Sequence, residues 1–372
     1  MTETDFILNN FNLSNITNGS ITWKTPSNIA LVKYWGKQEP QIPENTSISF
    51  TLDTCFTLTT LEYSKKQTRH GELVSASHDD NFNFEIYFEG EKKDDFKPKI
   101  ATFFKRIENY VPFLKDFDFI IKSENSFPHS SGIASSASGI GALALCVMSL
   151  EKALNPTMTD EYFHKKASFL ARLGSGSACR SIEGELIVWG KHAEIEGSSE
   201  LFGVKFPYKI HNNFRNYQDT ILLVDEGEKQ VSSTVGHQLM HNHPFAKQRF
   251  QQANNNISKI SKVLQSGDLS AFIAIVESEA LSLHAMMMTS NPYFILMKPN
   301  TLKIINEILG FRARTNSNIC FTLDAGANVH VLFPESEKEI VNSFIKSNLI
   351  QFCQENHYIC DSLGKGAKRV PQ

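Results

Sequence analysis

The stretch Asn125-Ser-Phe-Pro-His-Ser-Ser-Gly132-Ile-Ala-Ser135-Ser136-Ala-Ser138-Gly139 concentrates hydroxyls and small residues between an expected strand and an expected apolar helix. Backbone N–H groups at such a helix start can approach a phosphate closely, and the helix dipole favours the anion. A Ser-rich cap on a core helix has the same composition, and for an isolated Ser/Gly loop it is the commoner outcome. G-x-x-x-x-G-K-[ST] does not occur in the chain, so a P-loop is excluded as the phosphate binder. Lys33 and Lys37 bracket Tyr34-Trp-Gly, and two cations four residues apart are more often solvated than bound to a ligand. His237, His241 and His243 follow H-x3-H-x-H, a spacing able to hold a metal on one helix turn. With no fourth ligand in sequence, a solvated helix start with a satisfied histidine is the favoured reading there.

The elements that must position these residues follow from periodicity. Alternation at Ile21 to Lys24, Ser47 to Leu52, Phe56 to Leu61 and Phe82 to Phe88 predicts an early antiparallel sheet. Helices are expected at about Phe96 to Tyr110, Ala137 to Leu150, Asp160 to Arg172, Pro244 to Gln265, Leu269 to Met288, Lys298 to Leu309 and Glu335 to Ser347. Strands are expected at Phe117 to Lys122, Glu185 to Trp189 and from Thr220, with a strand pair around Asp324-Ala-Gly-Ala-Asn. Segregated strands and helices argue for α+β layers and against a doubly wound parallel sheet. Residues 1–20 read as a flexible extension, with a boundary near residue 205 separating an N-terminal half (21–205) from a C-terminal half (206–372). The basic tail Lys365 to Arg369 reads as a solvated end.

The chain has 372 residues, 41% hydrophobic and 21% charged, enough to bury one or two substantial cores. A net charge of -3 gives no global electropositive face, so neither nucleic acid nor an anionic membrane is expected as a partner. An anionic small molecule must be held by a local site. The 6 Cys contain no C-x-x-C pair, which speaks for reduced thiols and a cytoplasmic protein. Met1-Thr-Glu-Thr-Asp carries acids where a secretory signal needs bases, and the run Ile140 to Leu150 is shorter than the roughly 20 residues that span a bilayer.

Pro128-x-x-x-Gly132-Ile-x-Ser135-Ser136-Ala137 resembles the phosphate-binding motif of the GHMP kinases. Pro26-Ser-Asn28-Ile-Ala-Leu-Val-Lys33-Tyr34-Trp-Gly-Lys37 narrows this, because it resembles the N-terminal signature of diphosphomevalonate decarboxylases. Gly174-Ser175-Gly-Ser177-Ala-Cys-Arg180 and Phe321-Thr-Leu-Asp324-Ala-Gly-Ala-Asn328 agree, in the family order. The resemblance implies a GHMP kinase-like two-domain α+β fold with mixed and antiparallel sheets, packed helices and a cleft between the halves. It also implies ATP-dependent decarboxylation of mevalonate 5-diphosphate through phosphorylation of its 3-hydroxyl, with ATP and Mg²⁺ required and a homodimer expected.

Such a reaction needs a base near a hydroxyl, a clamp for a carboxylate and cations for phosphates. Asp324, in a turn flanked by apolar strand residues, is the candidate base, although an isolated Asp-Ala-Gly is ordinarily an Asx turn. Arg180 offers a planar fork for the substrate carboxylate. The resemblance places Lys33, Lys37, Tyr34, Asn28, Ser175 and Ser177 on the substrate, with either Ser232 or Ser233 reaching its diphosphate. Pro128, Gly132, Ser135, Ser136 and Ala137 fall on ATP phosphate. Mg²⁺ leaves no direct motif and is implied by ATP, with Ser136 the candidate contact. The pattern departs at His129-Ser-Ser, where Thr-Ala-Ala is usual, and at His237, where Met is usual. A related kinase or decarboxylase acting on mevalonate or its 5-phosphate would share most of these features. A silent homologue is disfavoured by intact Asp324, Arg180 and Lys33.

Overall fold

The computed structural model describes residues 1–14, 16–66, 82–128, 133, 135–227 and 233–371. The helices are α1 (Lys97–Ile107), α2 (Ser135–Leu154), α3 (Asp160–Gly174), the short α4 (Ser233–Gln238), α5 (Ala246–Ser266), α6 (Leu269–Met288), α7 (Pro299–Thr315) and α8 (Lys338–Phe344). Local chemistry sets their ends. Thr159 caps α3 by accepting from Tyr162 N–H at 3.3 Å. Gly267, at φ 82°, stops α5 in the left-handed region, and the next residue, Asp268, caps α6 by accepting from Ala271 N–H at 3.0 Å.

Two sheets organise the strands. The larger runs in the order 368–370, 18–32, 47–65, 117–125, 83–88, 91–92, with 186–189 pairing the far end of 47–65 and 204–205 beyond it. All these pairings are antiparallel except that of 83–88 with 117–125, which is parallel. The smaller is antiparallel, in the order 320–322, 329–333, 218–222, 358–362. The chain changes sheets between Lys205 and Gln218.

Alternating side chains make five layers. On one face of the larger sheet Leu61, Phe119 and Ile121 pack against α1, α2 and α3. Its other face, with Ile29, Phe50 and Val188, meets Ile257 and Ile260 of α5 and Phe272 and Val276 of α6. Ile221 and Leu332 of the smaller sheet close that same core, while Leu222 and Val331 point the opposite way onto α7 and α8. Both α2 and α6 have 20 residues and are apolar enough to cross a bilayer by composition, but 83% and 56% of their apolar windows are buried inside the protein. They are core helices.

Both termini are packed, against expectation. Phe6 is 0% exposed and stacks on Phe169 at 4.5 Å, so the first residues are anchored to α3 and not loosely held. The basic tail is not a solvated end. Trp23 pairs with Arg369 and Thr22 with Val370, so residues 368–370 form an edge strand of the larger sheet.

Candidate functional site

The strand 18–32 runs buried to its end and delivers Lys33, 1% exposed, into the space between the sheets. Three contacts fix it there. Its N–H donates to Glu279 Oε2 at 2.9 Å, its carbonyl accepts from Asn45 Nδ2 at 2.9 Å, and its ammonium donates to Asp324 Oδ1 at 2.9 Å. Burial lowers the Lys33 pKa, and the Asp324 carboxylate opposes that shift. Asp324 follows the strand 320–322, its side chain 29% exposed and its carbonyl oxygen 3.1 Å from His284 Nε2. Burial holds His284 down to about 4, so it is neutral at pH 7 and donates this hydrogen bond from Nε2.

Arg180 ends the 3-10 turn Gly176–Ser181 beyond α3. Its Nη1 donates to Ser47 Oγ at 2.6 Å and its Nε to Asn28 Oδ1 at 3.3 Å, and its guanidinium lies 5.8 Å from the Trp189 ring centre. Asn28 stands behind the guanidinium and does not line the cavity, its Nδ2 donating to Ser181 Oγ at 2.8 Å. Ser27 and Tyr34 carry buried hydroxyls with no partner among the described residues. That of Tyr34 lies in the cavity wall.

A cavity of about 760 Å³ gathers these groups. Lys33, Tyr34, Lys37, Ser175, Ser177, Arg180 and Asp324 line it, as do Ser135, Ser136 and Ala137 at the start of α2. Ile86, Phe88, Phe96, Ile100 and Leu143 give another stretch of its wall an apolar surface. Lys37 Nζ donates to Gln41 Oε1 at 2.9 Å and lies 3.4 Å from Glu39; burial lowers its pKa and Glu39 raises it. Pro128 is described but does not line the cavity. His129, Gly132 and Ser232 lie outside the described residues, and Ser233 begins α4.

The histidine pattern does not converge. His237 Nδ1 accepts from Gly36 N–H at 2.9 Å, His241 Nε2 meets Lys37 O at 2.8 Å, and His243 Nε2 meets Met286 O at 3.1 Å. His237 and His243 are buried, so the expected solvated helix start is a packed one. Gly36 has φ 102°, which places its N–H toward His237 in a conformation that favours glycine.

Several contributors escaped the sequence reading. Glu279, 0% exposed, receives both arms of Arg249, Asn256 Nδ2 at 2.7 Å and the Lys33 N–H. Of the two acids in an otherwise apolar α6, Glu277 and Glu279, only Glu279 is sealed from solvent, and an acid within so apolar a helix was the available signal. Lys99 of α1 donates to Ser136 Oγ at 2.7 Å across the cavity. The residues present fit ATP with Mg²⁺: hydroxyls and N–H groups at the start of α2, a cation beside them, and oxygen donors of the kind Mg²⁺ takes.

Comparison with known proteins bears on the same site. Residues 25–200 match the diphosphomevalonate decarboxylase-like N-terminal domain, and residues 220–368 match the mevalonate 5-diphosphate decarboxylase C-terminal domain. The diphosphomevalonate decarboxylase of Saccharomyces cerevisiae is 30% identical, over 84% of this chain and 77% of its own. That of Ganoderma lucidum is 28% identical, over 87% and 81%. A solved structure of MDDEF in complex with MVAPP, AMPPCP and magnesium superimposes with a TM-score of 0.78 at 26% identity, covering 95% of this chain and 99% of that one. The mevalonate diphosphate decarboxylase from Staphylococcus aureus shares the fold, with a TM-score of 0.79 at 24% identity, over 97% and 100%.

Proposed function

This chain belongs to the diphosphomevalonate decarboxylases, and from that premise we propose that it converts mevalonate 5-diphosphate to isopentenyl diphosphate, consuming ATP and releasing CO₂, ADP and phosphate. The observation that carries the reading is the meeting of Lys33, Asp324 and Arg180 in one cavity with Ser135 and Ser136. ATP supplies the phosphoryl group, and Mg²⁺ neutralises its charge.

Asp324 accepts the proton of the substrate's 3-hydroxyl as that oxygen attacks phosphorus. Lys33 orients the carboxylate and, once the proton has moved, keeps a positive charge beside the new phosphate ester. Arg180 holds the substrate carboxylate through donors left over from Ser47 and Asn28. Loss of the 3-phosphate and of CO₂ is then one electron movement: the C–COO⁻ bonding pair becomes the alkene, and the C–O bond to phosphate breaks. Tyr34, Lys37, Ser175 and Ser177 bind the diphosphate.

The test follows CO₂ and ADP together from purified protein given Mg-ATP and mevalonate 5-diphosphate, mevalonate 5-phosphate or mevalonate. Equal CO₂ and ADP with the diphosphate alone is expected. ADP without CO₂ would make the protein a kinase of this fold, and inert substrates would remove the reading. The reading includes a homodimer, which sedimentation velocity tests; a single species near the 41.9 kDa of one chain would remove that part.

A further inference from the structure

His237 is the histidine of the H-x3-H-x-H pattern that reaches the cavity, and neither a metal nor the chemical steps above account for it. Its ring sits against Tyr34, with centroids 4.3 Å apart, and against Trp35 at 4.7 Å. These contacts and the Gly36 N–H at Nδ1 fix both its plane and its tautomer. Because Nδ1 accepts, the ring proton of the neutral form resides on Nε2. Burial, together with the nearby Lys37 and Arg180 cations, holds the imidazole down to about 3, so the neutral form prevails at pH 7. Nε2 has no partner among the described residues, yet it is not among their buried, unpartnered atoms. It is a donor, oriented from behind, on a side chain that lines the cavity.

An imidazole near two cations and with a preset N–H suits an anion. The substrate's carboxylate has Arg180, whereas its diphosphate carries the greater charge and needs several donors at once. Tyr34 and Lys37, near which His237 lies, are two of the residues assigned to it. We propose that His237 is a further substrate-binding residue of this enzyme, donating its Nε2–H to a phosphoryl oxygen of the mevalonate diphosphate. The inference rests on the substrate reading above and adds a contact specific to this chain, where the resembled pattern has a methionine that cannot donate.

Two measurements test it. In ¹⁵N-histidine NMR of the wild-type protein, with the His237 signal assigned by its loss in H237M, Nε2 is the protonated nitrogen. Its resonance moves on adding mevalonate 5-diphosphate and stays put with mevalonate, which has no phosphate. In kinetics, H237M raises KM for the diphosphate about tenfold to a hundredfold, the range of one hydrogen bond to a charged group, and leaves KM for ATP near its wild-type value. H237Q, whose amide can replace the Nε2–H, recovers most of the loss. An unmoved resonance with saturating diphosphate, or an H237M KM within twofold of wild type, overturns the proposal. Wild-type protein that binds none of these compounds refutes the substrate reading, and this contact with it; a wild type that turns over while His237 is silent refutes the contact alone.

Discussion

Glu279→Gln isolates the polar floor beneath Lys33. The native carboxylate accepts from Arg249 through both arms, one at 3.0 Å, from Asn256 at 2.7 Å and from the Lys33 N–H at 2.9 Å, with Glu279 and Arg249 both sealed from solvent. Glutamine matches the shape but removes the charge and turns an NH₂ toward a guanidinium or an amide that also donates. Breaking one side of a buried pair costs about 3–5 kcal/mol, a large fraction of the roughly 5–15 kcal/mol that separates folded from unfolded chains. Urea unfolding followed by circular dichroism should show that loss. R249M alone should show a similar one, because it strands the carboxylate. If the pair is the cause, the double variant falls well short of the sum, with a coupling of at least ~2 kcal/mol. Turnover at a temperature where E279Q stays folded should fall by about 10²-fold, since Lys33 loses one of its three fixings. A variant within 1 kcal/mol of wild type, or strictly additive singles, would refute the reasoning.

Asp324→Asn should lower turnover by about 10²- to 10⁴-fold with little change in ATP affinity, measured by initial rates and by nucleotide titration. Phe6→Ala should destabilise by about 3 kcal/mol in urea, because the ring is fully buried against Phe169; an unchanged midpoint would return the first residues to a loose extension. His237, held down to about 3, and His284, down to about 4, take up protons in the unfolded chain before the folded one. Stability should therefore fall as pH drops from about 6.5 toward 4, each histidine adding up to ~1.4 kcal/mol per pH unit. H237M should flatten that slope, and urea midpoints at pH 7 and 5 check it.

The helices were legible from their apolar period: α6 runs Leu269–Met288, the range that period implied. The reach of the strand 18–32 was not. Pro26 lies inside it, tolerated where the register shifts between Pro26 and Asn28, so the strand carries the signature residues all the way to Lys33. Lys33, Arg180 and Asp324 were found through motif resemblance, since no local pattern brings residues so far apart in sequence into one cavity. Glu279, His284 and Lys99 were missed for a related reason. Their significance lies in which partner they face, and facing is decided by layer packing and not by any period along the chain.

The edge strand 368–370 has a consequence for biosynthesis. Trp23, which it pairs through Arg369, lies on the same strand that delivers Lys33. A ribosome adding roughly 5–20 residues per second needs on the order of tens of seconds to travel from one partner to the other. Throughout that interval the nascent strand presents an unpaired rim of N–H and C=O groups, the kind of edge that recruits foreign strands. Alongside translation, the early packing of Phe6 and α3 can shelter the sheet's neighbouring face, but its hydrogen-bonding rim closes only when residues 368–370 emerge.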